Sequence, residues 1–173
     1  LGLTHRSLEA AMAAGLIELL DGQADAAEEH LRAAYEGFRE RGLGGEAAQA
    51  GAFLGRALLT QNRIDEADAV AAEAEALAGS DLKAAITWRD VRAEAATRRG
   101  DIERALTLAR EAVELASTTD ALLLGEAQVR AGEALARGGQ GERGALRVEV
   151  KLGGAAGEPD GRVRTIGGGA TGG

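Results

Sequence analysis

Apolar residues recur every three or four positions through most of the first 137 residues, which is the spacing of one face of an α-helix. The pattern stops at short turns that contain glycine or asparagine. Between these turns it predicts helices over 8–21, 25–41, 46–61 and 65–77, a pair of helices within 80–117, and a further helix over 121–137. Gly42, Gly44 and Gly45 are expected to end the second of these helices. The sequence therefore predicts an all-α fold.

Three of the turns align with one another, at Gly22, Asn62 and Gly100. Glycine and asparagine most readily adopt the left-handed backbone conformation that ends a helix. Asp101 follows the third turn and can cap the helix that starts there. The turns are 40 and 38 residues apart. A nearly fixed period of this length indicates helical hairpins that stack on one another.

Small residues occupy matching places in successive hairpins. They lie midway along the first helices, at Gly15, Gly55, Ala93 and Gly132, and shortly after the turns, at Ala27, Ala67 and Ala105. Small side chains allow two helices to approach closely, so Ala105 is expected to pack against Ala93. Charged pairs spaced four residues apart, such as Glu28 and Arg32, are expected on the solvated surface.

The small residue in the first helix, the Gly or Asn turn and the alanine after it resemble tetratricopeptide repeats, most closely in GDIERALTLAREAVELA at 100–116. The resemblance implies a right-handed α-solenoid of about three and a half hairpins in residues 1–138. The period is longer than the usual length of about 34 residues, and no proline closes a repeat. Long, alanine-rich repeats look like the C-terminal helical regions of bacterial class III adenylate cyclases and of LuxR-type regulators that carry an ATPase module.

In such a solenoid the first helices line a concave groove that binds a protein or peptide, or another domain of the same parent chain. The repeat spacing predicts that the groove is lined by Gln49, Arg56, Thr60, Asp90, Glu94, Arg98, Glu126, Glu133 and Arg137. Met12, Leu16 and Leu20 occupy the equivalent places in the first hairpin, which makes that end apolar. We favour packing of this end on further repeats upstream over the binding of a partner.

Composition and charge limit the possible partners and compartments. The net charge of −8 disfavours nucleic-acid binding, which depends on clustered Lys and Arg. The apolar run at 10–20 contains Glu18 and is shorter than the roughly 20 residues of a membrane span, so no membrane association is expected. The absence of cysteine excludes disulfides and thiolate metal sites. We therefore expect a cytoplasmic protein.

No motif in the chain indicates a reaction, a cofactor or a metal. The glycines at 139, 141 and 144 match a dinucleotide fingerprint in spacing only, because they follow a predicted helix and not a strand. His5 and His30 are too far apart in sequence to share a helix face. We expect a non-catalytic protein-interaction scaffold from a larger bacterial signalling protein. The alternative is the helical part of an adenylate cyclase or ATPase-type regulator with its catalytic domain upstream.

Composition changes abruptly near the end of the predicted helix 121–137. From Gly138 onward, 13 of the 36 residues are glycine, so this segment buries too little apolar surface to offset the entropy of ordering. We expect residues 139–173 to form a disordered tail. The change also fits a shifted reading frame.

Overall fold

The computed structural model describes residues 4–117 and residue 137. Every regular element in this part of the chain is an α-helix, and none is a strand. Six helices follow one another: α1 (His5–Leu20), α2 (Ala24–Glu40), α3 (Gly44–Thr60), α4 (Ile64–Leu77), α5 (Leu82–Arg99) and α6 (Ile102–Ala116). The predicted all-α class is confirmed. No helix within 4–117 has both the length and the apolar character to cross a bilayer.

Several predictions concern segments that lie outside the described residues. These are Gly132, the greater part of the predicted helix 121–137, and the predicted tail 139–173 with its spaced glycines. Arg137 is the exception, since it is described and lies in helical backbone.

The aligned turns adopt the predicted left-handed backbone. The φ angles are 77° at Gly22, 62° at Asn62 and 83° at Gly100. After the third turn, a carboxylate oxygen of Asp101 accepts a hydrogen bond from the backbone N–H of Arg104 at 3.2 Å and so caps α6. Local turn chemistry therefore fixes these helix ends as the sequence predicts.

The turn between α2 and α3 differs from the prediction. Of the three glycines expected to end α2, Gly42 alone has a positive φ, at 68°. The backbone N–H of Leu43 then donates to the carbonyl oxygen of Phe38 at 3.0 Å, which completes the end of α2. Because one left-handed residue suffices, Gly44 and Gly45 belong to the first turn of α3 instead.

Each helix packs against the next one along the chain. In addition, α3 packs against α5, and α1 makes a smaller contact with α3. Between residues 4 and 117, the backbones of the even-numbered helices do not approach one another as closely. Side chains nevertheless join α2 to α4, because the Tyr35 hydroxyl donates to the Glu73 carboxylate at 2.6 Å and Arg39 pairs with the same carboxylate at 3.1 Å. The odd-numbered helices therefore lie side by side, each also packed against its even-numbered neighbours.

Alanines make up most of the buried apolar residues in the described chain. Two glycines show how closely the helices approach. A Cβ atom placed on Gly15 would lie 2.6 Å from Cγ of Leu31, and one on Gly55 would lie 2.9 Å from Cγ1 of Val91. Both distances are shorter than real Cβ contacts, so these positions of α1 and α3 have no room for a side chain.

Small residues also meet between α5 and α6, but with partners other than those expected. Ala105 is fully buried in an apolar cluster with Ala96 and Leu106. Ala93 lies in a separate cluster with Ala109. The difference is about one helical turn along α5, because residues 93 and 96 are three positions apart.

Glu28 does not lie on the solvated surface as predicted. Its side chain is 17% exposed and accepts hydrogen bonds from Arg32 at 2.7 Å, Gln61 at 2.9 Å and Arg63 at 2.5 Å. Gln61 and Arg63 belong to the turn between α3 and α4. The Glu28 carboxylate therefore joins α2 to the next pair of helices.

Asp68 occupies the matching position of α4, since both acidic residues are fifth in their helices. Its carboxylate accepts hydrogen bonds from Arg92 at 3.1 Å and Arg99 at 2.7 Å, which joins α4 to α5. Burial tends to raise the pKa of both carboxyl groups. For Glu28, the hydrogen bonds from Arg32, Gln61 and Arg63 outweigh the effect of burial. For Asp68, the hydrogen bonds from Arg92 and Arg99 do the same. The pKa of each carboxyl group therefore lies below its ordinary value.

These two carboxylates should make stability depend on pH in acid. Because their pKa values are lower in the folded than in the unfolded chain, their contribution is present above the unfolded pKa of about 4 and is lost as pH falls through the folded values. The double variant Glu28→Gln, Asp68→Asn should therefore unfold at lower urea concentration than the parent at neutral pH. The difference should shrink steadily below about pH 4.

Urea unfolding followed by circular dichroism at several pH values checks this expectation. The matched control, Asp25→Asn with Glu114→Gln, makes the same two kinds of substitution at exposed positions of α2 and α6. It should change the midpoint little at any pH. A gap between the Glu28/Asp68 variant and the parent that stays constant from neutral pH to pH 3 would contradict the proposed linkage.

Candidate protein-binding surface

Six of the nine predicted groove residues lie on α3 and α5, which pack side by side. They are Gln49, Arg56 and Thr60 on α3 and Asp90, Glu94 and Arg98 on α5. Arg137 is exposed, whereas Glu126 and Glu133 fall outside the described residues. The six residues thus belong to two adjacent helices, as expected for one surface.

The charged members of this set are engaged with one another. Asp90 is 2% exposed, and its Oδ2 atom lies 3.7 Å from Nη2 of Arg56. Arg98 pairs with Glu94 and also donates to the carbonyl oxygen of Leu59 at 2.5 Å. Asp90 is therefore a buried partner of Arg56 and is not available to a ligand. Reversing the charge of Arg56 or Arg98 would disturb the contact between α3 and α5, so such variants report on folding as well as on binding.

The remaining polar positions offer a smaller surface. Thr60 is exposed, although its hydroxyl donates to the carbonyl oxygen of Arg56 at 3.1 Å. Gln49 is half-buried near the start of α3. Together with the exposed part of Arg98, these side chains form the part of the predicted groove that a partner could touch.

One apolar face of α1 packs into the core. Leu8 and Gly15 are buried, and Ala11, Met12 and Leu19 pack against the main apolar cluster. Met12 therefore belongs to the core and not to the open apolar end that the sequence predicts. Through this face, α1 packs against α2.

A second apolar face of α1 is exposed at three of its four positions, and the fourth, Leu16, is half-buried. Ala13, Leu16, Ile17 and Leu20 follow the spacing i, i+3, i+4 and i+7, which places them together on the helix surface. At about 100° per residue, the centre of this face is roughly 130° around the helix axis from the centre of the core face. Ile17 is 60% exposed and Leu20 is 87% exposed. We call these four residues the α1 face.

The α1 face is unusual within the described chain. Ile17 and Leu20 are the two large apolar side chains of the described chain that are highly exposed. Adjacent exposed apolar side chains mark sites where a protein binds something else. Sequence reasoning singled out Leu16 and Leu20 but missed Ala13 and Ile17. The 13, 16, 17, 20 spacing in AAMAAGLIELL was the signal that could have found them, since it differs from the core spacing of the same helix.

The surroundings of the α1 face are acidic. Residues 7–31 contain no Lys or Arg and six carboxylates, which are Glu9, Glu18, Asp21, Asp25, Glu28 and Glu29. Asp21 and Asp25 are exposed at the end of the hairpin where Leu20 lies. The last turn of α1 contains no basic residue.

The other candidate groups are accounted for by packing and ion pairs. Nε2 of His5 lies 3.3 Å from Glu9, and Nε2 of His30 lies 3.5 Å from Glu18. Within the described residues, no group of three or more potential metal ligands occurs. Trp88 is 3% exposed and packs in the main apolar cluster, so it offers no stacking surface to a base.

A scan against protein-family models finds no match for the chain, and a search of the curated proteins also finds none. The similarity to tetratricopeptide repeats therefore rests on the spacing of residues in the sequence.

Proposed function

We propose that the protein is a non-catalytic protein-interaction scaffold, built as a right-handed α-solenoid of about three and a half TPR-like hairpins. The observation that supports this function is the exposure of Ile17 and Leu20 on the α1 face. The side-by-side packing of α1, α3 and α5 supports the solenoid, because first helices of successive repeats form one row in that architecture.

The α1 face offers apolar surface that a partner would bury. Complete burial of an exposed Leu or Ile side chain contributes about 1.5–3 kcal/mol. Binding would bury apolar surface of both Ile17 and Leu20, because most of each side chain contacts water in the described structure. Two such anchors on one helix face match the way a helical or extended ligand docks on a solenoid.

The proposed binding surface would also include two polar members of the predicted groove, Thr60 on α3 and the exposed part of Arg98 on α5. These polar side chains would form the rim around the apolar anchors. The ligand is a protein, a peptide or another part of the same parent chain, and that part includes any further repeats upstream of α1. The sequence resemblance to bacterial signalling proteins supports a cytoplasmic regulatory role.

Selection of peptides from a random display library tests this function. Peptides enriched on the parent protein should bind the variant Ile17→Ser, Leu20→Ser about tenfold more weakly or worse, because each anchor loses its apolar contact. The control variant, Ala33→Ser with Ala72→Ser, changes two exposed positions on α2 and α4 and should bind as the parent does.

Circular dichroism of both variants establishes that the helices remain intact. If the library yields no peptide that distinguishes the α1 variant from the control, the α1 face is not a ligand-binding surface and the proposed function loses its support.

A further inference from the structure

We propose that the α1 face binds a basic amphipathic helix, with apolar residues on one side and Lys or Arg beside them. This inference rests on the proposed function and adds the chemical class of the partner. It follows from the combination of an exposed apolar stripe with an adjoining chain segment, residues 7–31, that contains exposed carboxylates and no Lys or Arg.

The apolar stripe sets the shape of the partner. Ala13, Leu16, Ile17 and Leu20 extend over two turns of α1, and exposure is greatest at the C-terminal end. A partner helix can place its own apolar residues at i, i+3, i+4 and i+7 against this stripe. The stripe thus suits a helical ligand that is apolar on one side.

The charges set the sign of the partner. Asp21 directly follows Leu20, and Asp25 lies in the first turn of α2, just after the turn at Gly22; both side chains are exposed. Arg6 lies about two helical turns before Ala13, at the other end of α1. Lys or Arg side chains of a partner would therefore meet complementary charge next to Leu20.

The same charges disfavour a second copy of this chain as the occupant. In a two-fold symmetric dimer through the α1 face, Asp21 and Asp25 would approach their own counterparts if the two helices ran parallel. If they ran antiparallel, these carboxylates would approach the middle of the other α1, where residues 7–20 contain no Lys or Arg. Like charges placed together at an interface oppose association. An anionic membrane surface is disfavoured for the same reason.

Two synthetic peptides of about 18 residues, or five helical turns, serve as probes. Both have leucine at the same positions along one side. The other side carries lysine in one peptide and glutamate in its counterpart. Fluorescence anisotropy measures the Kd of each labelled peptide for the full chain. The lysine peptide should bind at least about tenfold more tightly than the glutamate peptide at low salt, and raising ionic strength to about 0.5 M should reduce the difference.

Two variants with equal net charge separate a local site from general attraction to an acidic protein. Asp21→Asn with Asp25→Asn removes the carboxylates beside the α1 face, and Glu103→Gln with Glu114→Gln removes two exposed carboxylates from α6. The first variant should weaken binding of the lysine peptide by roughly threefold or more, and the second should leave it unchanged. Ile17→Ser with Leu20→Ser should weaken it by at least about tenfold.

Other outcomes overturn the proposal in distinguishable ways. Equal weakening by the two carboxylate variants would show non-specific attraction. Preference for the glutamate peptide, with loss of binding in Ile17→Ser, Leu20→Ser, would refute the basic partner but retain the proposed function. A concentration-dependent dimer in sedimentation analysis that Leu20→Ser abolishes would identify a second copy as the occupant. Binding to phosphatidylcholine vesicles that Leu20→Ser abolishes would identify a lipid surface.

Discussion

The variant Phe38→Ala is expected to lose about 3–5 kcal/mol of unfolding free energy, because it leaves a cavity where a fully buried aromatic ring stood. Phe38 lies near the end of α2 and is 0% exposed within the main apolar cluster. The ring of His5 meets it edge-on at 5.8 Å between centroids, so the phenyl group also fixes the start of α1. Urea unfolding followed by circular dichroism measures the loss.

Two further variants of α2 calibrate this result. Phe38→Leu keeps most of the apolar volume and should lose clearly less than Phe38→Ala. Glu36→Ala changes an exposed position of the same helix and should stay within about 0.5 kcal/mol of the parent. If Phe38→Ala behaves like Glu36→Ala, the packing of α1 and α2 described above is incorrect.

The variant Ala105→Arg is expected to destabilise the chain by several kcal/mol, because it forces a large charged side chain into a buried contact. Ala105 is 0% exposed and packs with Ala96 where α5 and α6 are joined by a tight turn. Even if the guanidinium reaches solvent, its stem has to separate the two helices. The thermal midpoint should fall markedly relative to the parent.

The control for this experiment is Thr107→Arg, which adds the same side chain to an exposed position of α6 only two residues away. Its midpoint should remain close to that of the parent. The two variants share the added charge and differ in the face on which it lies. Similar midpoints for both would therefore show that the register of α6 against α5 is wrong.

Local features of the fold could be predicted from the sequence. Helix position follows from the three-to-four spacing, and the turns at Gly22, Asn62 and Gly100 follow from the rarity of other residues in left-handed backbone. These signals depend on neighbours in the chain, and so a single sequence contains them. The predicted helix starts differ from the described ones by up to three residues, because an N-cap such as Thr4 is only one of several possible starts.

Features that depend on distant residues could not be predicted. The repeat spacing places Asp90 in the predicted groove, but the packing of α3 against α5 buries it beside Arg56. Glu28 looks like one half of a surface pair with Arg32, yet Gln61 and Arg63 reach it from a turn more than 30 residues away. Which residue a side chain contacts on a neighbouring helix depends on the crossing geometry of the two helices, and the periodic pattern does not specify that geometry.

The alanine and glycine contacts between helices also constrain how this chain can evolve. At Gly15 and Gly55 the neighbouring helix leaves no space for even a methyl group. A substitution at either glycine can only enlarge the side chain, so every mutation there pushes two helices apart. Exposed positions such as Ala33 and Ala72 have no such limit. Neutral drift should therefore alter the outer helix surfaces, and with them the choice of ligand, much faster than it alters the spacing of the helices.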